Sequence, residues 1–391
     1  MKSNILGCTI STVRIANDPQ LFPILKQSTN QEKEINTIHE SLIESKIESV
    51  KRHGKYFWLR LSKAGAYPGV LLMHFGMTGM IKIKNVKSHI TFMENGGDKK
   101  VLEELGIIGD ENGKKSKYFD KKKSSPSSSQ DSSSVKTEND VQETSNEKND
   151  WPPRFTKFEM QLTRNGKVYD IAFVDSRRFG KIRYLHGKQV ETDEELLKQE
   201  PLRRLGPDYS KPPDIKPGTS VKGDADPDPH GRPRLGLENF NRLVLSKKKP
   251  LKSLLLDQEH FAGVGNWMSD EILFHARLHP TEIPAKKIAA DRSEIHPAIR
   301  DLYEAIIYVC EYSVLVEGNV KDFPSDWLML YRWGKGRKKS GRLKTEAGYD
   351  VDFVTVGGRT SCFVPQLQKL LTGDKYKDTK ASTKRRKVES D

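Results

Sequence analysis

Short apolar runs and strict alternation dominate the first part of the chain, and a helical period takes over near residue 235. Residues 8 to 83 read as β-rich. Tyr56 to Leu61 is built of residue types that favour a pleated surface, and Val70 to Phe75 is a short apolar run ending in Gly76-Met77-Thr78-Gly79. Strand patterning returns in Phe158 to Leu162 and Val168 to Val174, with Asn165-Gly166 between them as a hairpin turn, and again in Ile182 to Leu185. Residues 1 to 206 are therefore expected to form a mainly antiparallel β domain. A stretch from 207 to 234 rich in proline follows and is the natural boundary. Beyond it, Leu237, Phe240, Leu243 and Val244 share one helical face, and Ile299, Leu302, Ile306, Val309 and Cys310 share another. A helical domain is expected over 235 to 334. Strand character reappears over 335 to 372, where Tyr349 to Val356, Gly357-Gly358 and Thr360 to Val364 read as a small hairpin.

Composition interrupts this α+β picture twice. Between 94 and 150 the chain turns to Gly, Lys, Ser, Asp and Glu, including Ser124-Ser125-Pro126-Ser127-Ser128-Ser129, too polar to offset the entropy of ordering. That stretch is expected to be a disordered insertion, and 373 to 391 a disordered basic tail. Within the tail, Lys384-Arg385-Arg386-Lys387 is a basic cluster of the kind that serves as a nuclear address. No apolar run approaches the length of a membrane span and no signal-peptide pattern is visible, so a soluble intracellular protein is expected.

The charge narrows the class of partner. With 67 Lys and Arg against 53 Asp and Glu, the formal net charge is +14, which favours a polyanion through counterion release. Lysine-rich disordered segments account for part of that excess equally well. The 3 cysteines, Cys8, Cys310 and Cys362, are far apart and form no CxxC pair, which argues against both a disulfide framework and a cysteine zinc site.

The most informative stretch runs from Leu254 to Leu273 and reads as helix, tight turns, helix. Gly263 and Gly265 let the backbone turn sharply and lie close to a ligand, and Asn266 reads as the N-cap of a helix beginning at Trp267. The exposed N–H groups of such a helix start suit a phosphate. An ordinary helical hairpin with a glycine turn fits the same residues.

Ala262-Gly263-Val264-Gly265-Asn266, followed by Asp270-Glu271 and His279-Pro280, resembles the helix-two-turn-helix motif of the formamidopyrimidine and endonuclease VIII DNA glycosylases. A similar glycine-rich turn occurs in ribosomal proteins, so the remaining motifs decide. Lys51-Arg52-His53-Gly54-Lys55-Tyr56 matches the turn whose lysine lies near the lesion, which makes Lys55 the carried-over catalytic-site residue. His74-Phe75-Gly76-Met77-Thr78-Gly79 is similar to the loop whose methionine enters the gap left by an everted base. In Arg177-Arg178-Phe179-Gly180, Arg177 resembles the residue that pairs with the estranged base and Phe179 the wedge beside it. Gly357-Gly358-Arg359 to Gln368 looks like the hairpin finger of the zinc-free plant and fungal branch, with Arg359 gripping phosphate together with Lys55 and Asn266.

The resemblance covers roughly 5 to 93 and 151 to 372. It implies an N-terminal antiparallel β-sandwich and a helix-two-turn-helix domain carrying a zincless finger. It further implies a monomer that binds damaged duplex DNA, with no membrane, zinc or other cofactor. The site residues it names are Lys55, His74, Met77, Arg177, Phe179, Gly265, Asn266 and Arg359. The implied activity is excision of oxidised bases (formamidopyrimidines, with 8-oxoguanine a candidate), followed by lyase cleavage through a Schiff base and β-elimination. Removing a base from inside a duplex requires apolar or planar side chains to fill the vacated stack. In the family the attacking amine belongs to an N-terminal proline followed by a glutamate acid, and Met1-Lys2-Ser3-Asn4 has no counterpart to either. The expectations are a sequence lacking its first segment, a lesion-binding relative without catalysis, or substitution by the Met1 amine or Lys55, in that order.

Overall fold

The computed structural model describes residues 1–86, 151–213, 231–290, 293–332 and 344–372; the expected insertion and basic tail lie outside them. In the first domain, β1 (Thr9–Ile15), β2 (Lys46–His53), β3 (Tyr56–Ser62), β4 (Gly69–His74), β5 (Met80–Ile83), β6 (Thr156–Arg164), β7 (Lys167–Val174) and β8 (Lys181–His186) are hydrogen-bonded in the order β5-β7-β6-β1-β2-β3-β4-β8. Every pairing is antiparallel. β1 and β2 share only one residue pair, Thr9 with Lys46, so the sheet divides there into two four-stranded halves.

Alternation puts the two inner faces together. Ile10, Val13, Phe158, Met160, Leu162, Ile171 and Phe173 from one half meet Ile47, Val50, Phe57, Leu59, Leu61, Leu71, Met73 and Ile182 from the other in a single buried cluster. This is the expected sandwich. Asn165 and Gly166 both have positive φ, 51° and 73°, the two left-handed residues that a tight hairpin turn matched to strand twist requires. α1 (Lys2–Ile5) and α2 (Gln31–Leu42) pack at the side, and Met1 lies against the same core. α2 was not expected in a β-rich stretch. It is mostly polar and buries only Ile38 and Leu42, while the Asn30 side chain caps it by accepting from Lys33 N at 2.9 Å.

The outer face of β3 and β4 supports a further core besides the one inside each domain. Trp58, Val70 and Leu72 pack there against Val190, Leu196, Leu202, Leu205 and Ala262, with Leu196 supplied by α3 (Asp193–Leu197). Ala262 belongs to the second domain, so this core fastens the two domains together.

The second domain is built from α4 (Leu237–Ser246), α5 (Leu251–Leu255), α6 (Asn266–His275) and α7 (Pro297–Leu315). Its core joins Phe240, Val244, Leu254, Ile272, Leu273, Leu302, Ile306 and Val309, as the helical period predicts. The hairpin of β9 (Asp352–Val356) and β10 (Arg359–Phe363) contributes Cys362, while Val351 and Val364 flank it in the same core. Packing thus anchors the finger. The ends of the proline-rich stretch are structured too: Tyr209 is buried in this core, and Ala262 N donates to Pro207 O at 2.9 Å.

Candidate nucleic-acid interface

The hairpin between β2 and β3 presses its tip onto the second domain. Gly54 takes a φ of +58°, and a Cβ there would lie 3.0 Å from Gly263 N and 3.1 Å from Ala262 Cβ, so only glycine fits without displacing backbone. Asp208 secures the tip: its carboxylate accepts from Arg52 Nη1 at 2.6 Å and from Gly54 N at 2.9 Å, and Arg52 Nη2 donates to Ser210 Oγ at 2.9 Å. Burial pushes the Asp208 carboxyl up, but Arg52, His53 and Lys211 outweigh it and hold the group well below the usual carboxylate range. The seam joins residues far apart in sequence, and nothing in the local pattern announced it.

His53 is buried in the same seam, with Nε2 3.0 Å from Gly206 O and Nδ1 accepting from Arg232 N at 3.4 Å. Burial lowers its pKa to about 4 from an ordinary 6.5. Between those values the unfolded chain binds a proton that the folded one excludes. This contribution to stability is therefore complete above pH 6.5 and is lost as pH falls toward 4, at up to about 1.4 kcal/mol per pH unit. His53→Asn should flatten the profile in that window. Equal slopes for variant and native protein in urea unfolding at pH 7, 6 and 5 would contradict the assignment.

Next to the tip opens a cleft of about 690 Å³ lined by Arg52, Lys55, His74, Met77, Asn266, Arg332 and Arg359, among others. It gathers five of the expected site residues from both domains. Lys55 Nζ lies 3.7 Å from where a Cβ on Gly265 would stand, which places its ammonium over the start of α6. That helix begins one residue earlier than expected: Gly265 is the N-cap and Asn266 the first helical residue. The Asn266 side chain therefore does not cap the helix, and its Nδ2 donates instead to Thr360 O of β10 at 3.3 Å. His74 Nδ1 accepts from Gly76 N at 2.9 Å, while burial, then Lys55 and Lys181, lower its pKa to about 4, so this imidazole is neutral.

Arg359 stands exposed at the finger turn, where Gly357 and Gly358 take φ of 55° and 74°. A Cβ on Gly357 would lie 2.5 Å from Ser253 Oγ, so the turn sits directly on α5. The finger and α6 are joined below the surface by charges centred on Asp270 of the motif, with Lys252 and Arg332 from outside it. Asp270 Oδ1 accepts from Lys252 Nζ and from Ser361 Oγ, each at 2.5 Å, and Asp270 Oδ2 from Arg332 Nη2 at 3.2 Å. Lys252 is fully buried and also donates to Asn266 O at 2.6 Å; burial brings its ammonium down to about 8. Glu271, buried beside it, accepts from Leu328 N at 3.0 Å and Met329 N at 2.7 Å, and burial raises its pKa.

Arg177 and Phe179 do not line the cleft; they stand on the neighbouring loop. The Arg177 guanidinium lies 5.7 Å from the centre of the Phe179 ring, which is 51% exposed. This loop and the Met77 loop touch backbone to backbone, since a Cβ on Gly76 would fall 2.4 Å from Phe179 C. Buried Asp175 ties them together by accepting from Thr78 Oγ1, from Arg177 N at 3.1 Å and from Gly180 N at 2.7 Å. Arg178 points the other way, into a two-pronged ion pair with Asp18 at 2.7 and 2.8 Å. Burial raises the Asp18 pKa, but the Arg178 hydrogen bond and two backbone N–H groups bring it below the ordinary value. Two exposed cations, a helix start and a methionine therefore share one cleft, and an exposed aromatic ring stands on the loop that touches the methionine's.

Comparison with known proteins agrees with this arrangement. Residues 1–182 match the formamidopyrimidine-DNA glycosylase N-terminal domain, and residues 226–316 match the H2TH domain of the same enzymes. The chain belongs to the formamidopyrimidine-DNA glycosylase family. It is 27% identical over 388 residues to the formamidopyrimidine-DNA glycosylase of Arabidopsis thaliana, covering 99% of this chain and 73% of that one. The Desulfitobacterium hafniense enzyme of the same name is 27% identical over 221 residues, covering 56% and 67%. The fold matches a Lactococcus lactis family member in non-covalent complex with DNA containing an AP site, with a TM-score of 0.54, 16% identity and coverage of 94% and 95%.

Proposed function

We propose that this chain is a base-excision repair DNA glycosylase with abasic-site lyase activity, acting on oxidised bases, formamidopyrimidines and 8-oxoguanine among them, in duplex DNA. The observation that carries this reading is the gathering of Lys55, Asn266, Arg359 and Met77 in one cleft, with Phe179 exposed on the loop that touches the Met77 loop; Lys55, Asn266 and Arg359 form one set, Met77 and Phe179 the other. The first set suits phosphates flanking a lesion, and the second suits the void that an everted base leaves. A neutral His74 in the same cleft, its Nδ1 occupied by Gly76 N, can donate a hydrogen bond from Nε2 without adding charge. In the reaction an amine displaces the base from C1′ of the sugar, and the C1′–O4′ bond then breaks, with a proton going to the ring oxygen, to give an iminium; loss of a C2′ proton expels the 3′ phosphate and cuts the strand. The amine that the family resemblance assigns to this role is that of an N-terminal proline. Met1 lies against the sandwich core, and Lys55 Nζ stands over the start of α6, which supports a phosphate-binding role for it in this reading.

Competition binding tests the reading first. The native protein should prefer duplex DNA with an abasic site over intact duplex; borohydride reduction on the abasic duplex tests the lyase part separately, since a trapped adduct would show an amine of this chain attacking the sugar and its absence would overturn that part alone. Met77→Ala combined with Phe179→Ala should cut that preference by about tenfold or more, since filling an unstacked step is worth a few kcal/mol. Equal affinity for abasic and intact DNA in the native protein would overturn the proposal.

The same reading includes a finger that folds without metal, a monomer in solution, and a nuclear address at Lys384 to Lys387. Burial of Val351, Cys362 and Val364 in the second core supports the metal-free finger. Dialysis against a strong chelator should leave thermal unfolding and DNA affinity unchanged; a drop in either, restored by zinc, would count against it.

A further inference from the structure

A second arginine-over-phenylalanine pair stands beside the Asp175 to Gly180 loop. Phe155, the residue before β6, is 46% exposed, and the Arg154 guanidinium lies 4.6 Å from the centre of its ring. Its backbone has a φ of +65°, a region that bulky residues avoid. Local bonds fix that conformation: Thr156 N and Oγ1 both donate to Pro153 O, at 3.2 and 2.5 Å, and Phe155 O accepts from Asp175 N at 3.1 Å. Asp175 is also the residue whose carboxylate positions Arg177 and Gly180. A strained turn thus holds an apolar ring out in water, on the same anchor as the wedge loop. Packing gives no reason for that cost, and strain of this kind marks residues selected for what they contact.

We propose that Arg154 and Phe155 form a second DNA-contacting platform, in which Arg154 binds a backbone phosphate of the duplex flanking the wedge and Phe155 packs on the sugar and base edge of the same nucleotide. The occupant is duplex DNA because Phe155 is bonded to Asp175, the residue that anchors the loop of Arg177 and Phe179, and because an exposed guanidinium over an aromatic ring suits phosphate next to a planar group. The platform lengthens the footprint along the duplex instead of acting on the lesion. It therefore adds affinity for intact and abasic duplex alike, whereas the wedge adds preference. The proposal rests on the DNA-binding reading above.

Glycine at 155 removes the ring and relieves the left-handed backbone, so it separates binding from folding. Phe155→Gly is expected to unfold at the same or a higher temperature than the native protein and to bind abasic and intact duplexes about tenfold more weakly. Arg154→Ala is expected to lower the slope of log affinity against log salt by about 0.9, one phosphate contact. Should Phe155→Gly lower the unfolding temperature, Phe155→Asn, which tolerates the same backbone, is read in its place with the same expected weakening. Native-like affinity and salt slope in the variants, with the native protein still preferring abasic DNA, would overturn the platform alone, including in favour of a protein partner at this surface. Loss of that preference in the native protein itself would instead overturn the DNA reading on which the platform rests.

Discussion

Asp270→Ala is expected to destabilise the protein by about 3–5 kcal/mol, the usual cost of leaving one member of a buried ion pair uncompensated. Lys252 has no exposed surface, and its ammonium is held by Asp270 Oδ1 and Asn266 O. Removing the carboxylate also frees Ser361 of the finger and Arg332 of the cleft wall. Since whole domains are stable by only about 5–15 kcal/mol, the second domain should lose much of its margin. Urea unfolding measures the loss directly. Replacing the pair together, Lys252→Met with Asp270→Leu, should recover part of it, because two apolar side chains bury no charge while Arg332 and Ser361 still lose their acceptor. A single-variant cost under about 1 kcal/mol would show that the pair is not the support described.

The second large effect should appear in binding. Arg359→Ala is expected to weaken affinity for abasic duplex DNA by about 10- to 100-fold, as charge-assisted hydrogen bonds are worth about 1.5–3 kcal/mol. It should also lower the salt slope by about 0.9, the signature of one lost phosphate contact. Folding should be unaffected, since the side chain is exposed at a turn whose geometry depends on Gly357 and Gly358. Fluorescence anisotropy over a salt series gives both numbers at once. An unchanged slope with reduced affinity would mean that Arg359 acts on something other than phosphate.

What was legible in the sequence has a common physical basis. Hairpins at Asn165-Gly166 and Gly357-Gly358 were readable because two consecutive positive φ values restrict the residue types allowed. The helical faces of α4 and α7 were readable because burial repeats at the helix period. The helix α2 was not, because so polar a segment buries too little to show a stripe. Asn266 misled by one position: its residue type is common at N-caps, yet its side chain is engaged by the finger, a partner 94 residues away. Lys252 and Arg52 were passed over for the same reason. A lysine in Leu251-Lys252-Ser253 looks solvated until a distant Asp270 closes over it, and Arg52 acquires its role from Asp208, 156 residues on. Local pattern reports local constraint, and charge networks that close only in three dimensions leave no such trace.

The single residue pair joining β1 to β2 has a mechanical consequence. Met77 lies on the crossing from β4 to β5 and Phe179 on the crossing from β7 to β8, and each crossing spans the gap between the two four-stranded halves. The two crossings touch each other and share Asp175 as a common peg. A side chain pushed by a base stack trying to close would therefore load both plates of the sandwich at once. Met77 and Phe179 thus stand on one strut between two walls, and the wedge role proposed for them would draw its stiffness from both.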